Sequence, residues 1–139
     1  MAMTKKRILL VDDDVTATGL LKLSLEGTGC YEAREENVAS RVLATSRSFK
    51  PDLIVLDVCM PLVDGGDVAA TIKKDRTMKD VPIVFLTSIV SEEEAGEHPL
   101  LRGGYPFIPK PVNLQRLVRH IEDTLSSKRP ARVSPTPAS

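Results

Sequence analysis

Three four-residue runs constrain the fold more than any other feature: Ile8-Leu9-Leu10-Val11, Leu53-Ile54-Val55-Leu56 and Ile83-Val84-Phe85-Leu86. None alternates with polar residues, and each stops abruptly at one: Asp12, Asp57 and Thr87. A strand with one wet face alternates, whereas a strand covered on both faces does not. The runs therefore predict interior strands of a sheet sandwiched between two layers. Between and after them, apolar residues recur at helical spacing: Ala17, Leu21 and Leu25; Val38, Ala39, Val42 and Leu43; Val68 and Ile72; Leu114, Leu117, Val118, Ile121 and Leu125. Weaker strands fit residues 31–34 and 107–108. Strands alternating with helices predict an α/β protein with a doubly wound, five-stranded parallel sheet and right-handed crossovers. Sheets of this kind bind ligands at the edge where the carboxyl ends of the strands meet.

The 139 residues predict one domain, and 42% hydrophobic residues supply a core for it. Lys+Arg and Asp+Glu both number 19, so no basic excess points to nucleic acid or an anionic membrane surface. No apolar run approaches the ~18–20 residues of a membrane span, and the amino terminus lacks a signal-peptide core. A cytoplasmic location is expected. Cys30 and Cys59 have no metal-ligand spacing and are expected as buried or half-buried free thiols. The domain is expected over residues 1–126. Residues 127–139, rich in Pro and Ser, are expected to form a tail, or a linker to an output domain, that buries too little to order itself. The stretch from Thr87 to Lys110 contains Gly96 and Pro99, so a fourth helix there is expected to be short or irregular.

The chemistry sits where the strands end. Asp12, Asp13 and Asp14 follow the first run, Asp57 the third strand, Thr87 the fourth and Lys110 the fifth. Side by side, these ends converge. Clustered carboxylates repel one another unless a cation intervenes. Mg²⁺ suits a site of one or two carboxylates, waters and a phosphate. Lys110 adds a point positive charge and Thr87 a hydroxyl donor. A carboxylate beside Mg²⁺ and a lysine is a nucleophile for phosphoryl transfer. Asp14 alone reads as a helix N-cap, and His98 and His120 stand without acid–base or metal partners.

Four separated motifs occur in order: Val11-Asp12-Asp13-Asp14, Leu56-Asp57-Val58-Cys59-Met60-Pro61-Leu62-Val63-Asp64-Gly65, Phe85-Leu86-Thr87-Ser88 and Pro109-Lys110-Pro111. Together they resemble the signatures of bacterial response-regulator receiver domains, over residues 5–126. The resemblance implies a flavodoxin-like sheet of order 2-1-3-4-5 with five helices. It implies Asp57 as phosphoacceptor, with Mg²⁺ held by Asp12, Asp13, Asp57 and the backbone carbonyl of Cys59. It implies Thr87 as switch hydroxyl, Phe107 as switch aromatic, Lys110 as the family's lysine, and a cis bond from Lys110 to Pro111. The phosphoryl donor is then a sensor histidine kinase or phosphotransfer protein. The output is another protein or an output domain, and the chain, a monomer or weak dimer, is no enzyme beyond its own phosphotransfer and dephosphorylation.

Cys59 and Ile89 occupy the positions that tune hydrolysis in the family. Neither is an obvious helper of water, so a long-lived phosphoform is expected. The weak fourth helix bears on the family's usual partner face. Two other functions compete. Asp12-Asp13-Asp14-Val15-Thr16 also resembles the opening of haloacid-dehalogenase-like phosphatases, with Asp12 as nucleophile, but that family needs a further strand ending in acids after its lysine. A degenerate receiver, acting as a pure interaction module, usually lacks an acid, the nucleophile or the lysine, and all are present here.

Overall fold

The computed structural model describes residues 5–58, 65–87, 107–110 and 112–133. Five parallel strands, β1 (Lys6–Val11), β2 (Tyr31–Glu36), β3 (Leu53–Asp57), β4 (Ile83–Thr87) and β5 (Phe107–Pro109), form one sheet in the order β2-β1-β3-β4-β5. The four helices among the described residues are α1 (Val15–Gly27), α2 (Val42–Phe49), α3 (Gly65–Lys74) and α4 (Leu114–Val133). A 3₁₀ turn, Ala39–Arg41, leads into α2. The doubly wound fold and its strand order are those expected. The expected short fourth helix lies outside the described residues.

Successive side chains of a strand point to opposite faces, and the interior strands are apolar on both. Every residue of β3 and β4 is buried. Leu9, Val11, Ile54, Leu56, Ile83 and Phe85 meet Val42 and Phe49 of α2 and Val68 and Ile72 of α3. On the other face, Ile8, Leu10, Val55, Val84 and Ile108 meet Leu25 of α1 and Leu117 and Ile121 of α4. The Tyr31 hydroxyl donates to Glu122 of α4 and so ties that helix to the edge strand β2. Burial and the Glu122 carboxylate push the tyrosine's pKa upward.

Four expectations need correction. The second strand runs to Glu36, two residues beyond its expected end. Val38 is exposed and precedes the 3₁₀ turn, so the stripe attributed to it begins at Ala39, which packs on the core. Cys30 is exposed, because it follows the turn at Gly29, whose φ is +82°. The helical backbone of α4 passes Ser127, the expected start of the tail, and continues to Val133. Helix propagation adds one backbone hydrogen bond for each residue fixed. It continues although Pro130 has no N–H to offer the carbonyl four residues earlier.

Two turns on the edge opposite the carboxyl ends make predictions. Lys50 ends α2 in the left-handed conformation, φ 57°, with its N–H bonded to the Ser46 carbonyl at 2.8 Å. Lys50→Gly removes the Cβ penalty at that position and is expected to stabilise the protein by about 0.5–1 kcal/mol in urea unfolding. After α3, Asp75 accepts from Arg47 of α2 at 2.5 Å and from the Thr77 hydroxyl at 2.6 Å. The Arg47 hydrogen bond first, then that from Thr77, lowers the Asp75 pKa to about 2 from 3.8. A depressed carboxyl stabilises the fold above its unfolded pKa and loses that contribution as pH falls through its folded value. The stability gap between wild type and Arg47→Ala is therefore expected to be constant near neutral pH. It should narrow as pH falls from about 4 toward about 2.

Candidate functional site: acids and a lysine at the carboxyl edge of the sheet

β1 ends at Val11 and the chain turns through three acids into α1. Asp14 caps that helix, its Oδ1 accepting the Ala17 N–H at 3.1 Å, as the sequence suggested. Asp12 is held by the same turn, its Oδ1 accepting the Asp14 N–H at 3.0 Å. Asp57 is the last residue of β3 and Thr87 the last of β4. The Thr87 carbonyl accepts the Lys110 N–H at 2.7 Å, which fixes the lysine backbone just past β5. From there the Lys110 side chain spans to the acids. Its Nζ lies 3.4 Å from Asp12 Oδ2 and 3.3 Å from Asp57 Oδ1.

Asp12 and Asp57 are 3% and 2% exposed, and Asp13 is exposed. One carboxylate oxygen from each of the three lies within 4.8 Å of the others. At an effective dielectric of about 20, two such charges repel by roughly 3–4 kcal/mol. One ammonium cannot neutralise three carboxylates. Burial pulls the Lys110 pKa down, but Asp57 and then Asp12 outweigh it and hold the ammonium above the ordinary lysine value. The lysine therefore stays charged, and the cluster keeps a net negative charge. Its donors are hard carboxylate oxygens, which fit a divalent cation such as Mg²⁺ and not a thiophilic metal.

Thr87 is fully buried. Phe107 is half-buried, pairs in register with Phe85 and packs on the cluster that includes Val58 and Phe85. The structure thus brings together Asp12, Asp13, Asp57 and Lys110, with Thr87 one residue beyond the position level with Asp57. Cys59, Ile89 and Pro111 lie outside the described residues, and with them the carbonyl ligand, the hydrolysis-tuning pair and the cis bond.

One residue at this edge escaped sequence reasoning. Asn37 follows β2, and its Nδ2 donates to the Asp12 carbonyl at 2.7 Å and to the Thr18 hydroxyl at 3.0 Å. Its signal is its place: a polar residue after a strand, like the others, but after a strand whose end apolar spacing puts too early. The phosphatase reading needs a further strand after the lysine. β5 leads into α4, and no further strand ending in acids follows among the described residues. No helix among the described residues is long and apolar enough to cross a membrane.

Comparison with known proteins agrees with this geometry. Residues 8–122 match the family model described as the response regulator receiver domain. The chain is 33% identical over 128 residues to the phosphate regulon transcriptional regulatory protein PhoB of Pseudomonas aeruginosa, covering 92% of this chain and 55% of that one. It is 36% identical over 126 residues to the response regulator MprA of Mycobacterium leprae, covering 89% and 53%. It thus spans about half the length of these curated relatives. Among solved structures, the non-phosphorylated HemR receiver domain of Leptospira biflexa is 36% identical with a TM-score of 0.70, covering 88% of this chain and 95% of that one. The chemotaxis response regulator CheY4 of Vibrio cholerae is 25% identical with a TM-score of 0.74, covering 86% and 98%. With its sheet order, its acidic carboxyl edge and a family match over most of its length, the chain belongs to the response-regulator receiver domain family.

Proposed function

We propose that this receiver accepts a phosphoryl group on Asp57, with a divalent cation, Mg²⁺, held by Asp12, Asp13 and Asp57. The carrying observation is that three carboxylate oxygens converge within 4.8 Å while Lys110 Nζ stands 3.3 Å from Asp57. An Asp57 carboxylate oxygen attacks phosphorus, and the bond to the donor breaks with its electron pair leaving on the donor. With a histidine kinase or phosphotransfer protein as donor, that leaving group is an imidazole. When bound, Mg²⁺ supplies charge neutralisation for the incoming phosphoryl oxygens. Lys110 orients one of those oxygens and is partly exposed, so the edge is open to a donor although Asp12 and Asp57 are covered. The carbonyl of Cys59 is the further ligand this reading assigns.

The new anionic oxygens compete for Lys110 and attract the Thr87 hydroxyl. Thr87 and Lys110 are joined through their backbones, so their movement is felt along β4 and β5, where Phe107 packs. A partner that prefers one arrangement reads the state by shifting its population. The partner is another protein or an output domain, as the half-length match to transcriptional regulators suggests.

Incubation with acetyl phosphate and Mg²⁺, read by intact-protein mass, is expected to add one phosphoryl group to wild type and none to Asp57→Asn. Chelating the metal with EDTA should abolish labelling of wild type. No adduct, under conditions where another receiver labels, would favour the pure interaction module.

A further inference from the structure

We infer that Asn37 is a positioning residue for the acidic pair, holding the Asp12 carbonyl and hence the direction in which Asp13 leaves the strand for divalent-cation binding. The inference rests on the metal-dependent function proposed above and concerns a residue of β2's end that lies outside the acid, threonine and lysine set.

Backbone pairing holds the acidic turn weakly. Val11 is level with Glu36, and the next bond, from the Asp12 N–H to the Glu36 carbonyl, is long at 3.4 Å. Continuing the parallel ladder would bring the Val38 N–H to the Asp12 carbonyl. That N–H instead donates to the Glu36 carboxylate at 2.9 Å. The Asn37 carboxamide takes the place of the missing ladder donor, at 2.7 Å.

The orientation of the amide is determined. A carbonyl only accepts, so the NH₂ end must face Asp12. Its second N–H goes to Thr18 Oγ1 at 3.0 Å. Thr18 is fully buried on α1, and its hydroxyl has acceptors at 3.1 Å in Glu35 Oε1 and the Val15 carbonyl. Both amide protons are therefore used, and the amide is anchored from the helix as well as from the strand.

The Asp12 carbonyl belongs to the peptide unit joining Asp12 to Asp13. Fixing it fixes the rotation of that unit, and with it the exit of Asp13, whose side chain is exposed. A residue that merely closes the end of β2 would contribute stability. A positioning residue also sets metal affinity, as partners one step behind metal ligands do.

Calorimetric titration of Mg²⁺ into the unphosphorylated full chain separates these roles, with melting temperature recorded without metal. Asn37→Ala is expected to weaken Mg²⁺ binding about tenfold or more, and Thr18→Val, which removes the second anchor together with the Thr18 bonds to Glu35 and Val15 but leaves the Asn37 bond to Asp12, to weaken it less. Thr45→Val breaks the Glu36 hydrogen bond at the same strand end without touching Asp12. It should lower the melting temperature yet leave Mg²⁺ affinity within about twofold of wild type. Raising Mg²⁺ should restore acetyl phosphate labelling of Asn37→Ala. If Asn37→Ala does not fold, Thr18→Val carries the test alone. Wild-type affinity in Asn37→Ala, or in Thr18→Val where Asn37→Ala does not fold, overturns the inference and leaves the proposed function standing. So does equal weakening in Thr45→Val. A wild-type chain that binds no Mg²⁺ overturns both.

Discussion

Two carboxylates almost cut off from water, Asp12 and Asp57, share one ammonium group, with a third acid beside them. The arrangement is a poor way to stabilise a fold. Desolvating charges is costly, and apolar residues of similar volume would often serve stability as well or better. The sheet nevertheless imposes it, because β1 and β3 are neighbours buried on both faces, and the residues at their ends cannot move apart without breaking the ladder. What keeps the cluster tolerable is a set of donors aimed at it: the Asp14 N–H on Asp12 and the Lys110 ammonium on both acids. The unspent negative charge is then a standing preference for a cation, and for chemistry that a cation assists. Violations of this kind, well supported by neighbouring structure, mark functional sites.

Much of this is legible in the sequence, for a simple reason. Interior parallel strands must be apolar throughout, and their ends must be polar where the chain leaves the core. Asp12, Asp57, Thr87 and Lys110 therefore stand out in the sequence as the residues at four strand ends, and the parallel sheet brings those ends to one edge. The illegible parts share a different reason. β2 is an edge strand, Tyr-Glu-Ala-Arg-Glu-Glu, in which only Tyr31 and Ala33 carry an apolar signal, and its last two residues look like loop. Glu36 is nonetheless buried, because its carboxylate caps the Val38 N–H and accepts the Thr45 hydroxyl. A hydrogen-bonded end of this sort leaves no trace in hydrophobic spacing. Val38 misleads for the complementary reason: it is an apolar residue beside a helical stripe, but just outside the turn that begins the helix. Beyond Ser126, the expectation weighs burial, whereas the backbone of α4 propagates through hydrogen bonds along the chain to Val133.

The sheet order also says where a change at the acids costs least. β1 and β3 are paired on both sides, and their side chains fill both cores. Moving either strand would disrupt close packing that tolerates little displacement. β5 has three residues, pairs on one side only, and is fully buried at Ile108 alone. It is also the strand that delivers Lys110, and the bond between the Thr87 carbonyl and the Lys110 N–H couples it to the end of β4. Under the proposed phosphotransfer, a charge added next to Lys110 acts on this edge strand, while the buried Ile108 keeps it anchored to the core. Under that proposal the response is expected on the β4 and β5 side, where Phe107 lies half-buried opposite Phe85. Under that proposal the same asymmetry separates recognition of charge from display of its consequence: the acids stand at the ends of the doubly paired β1 and β3, and Lys110 follows the edge strand β5.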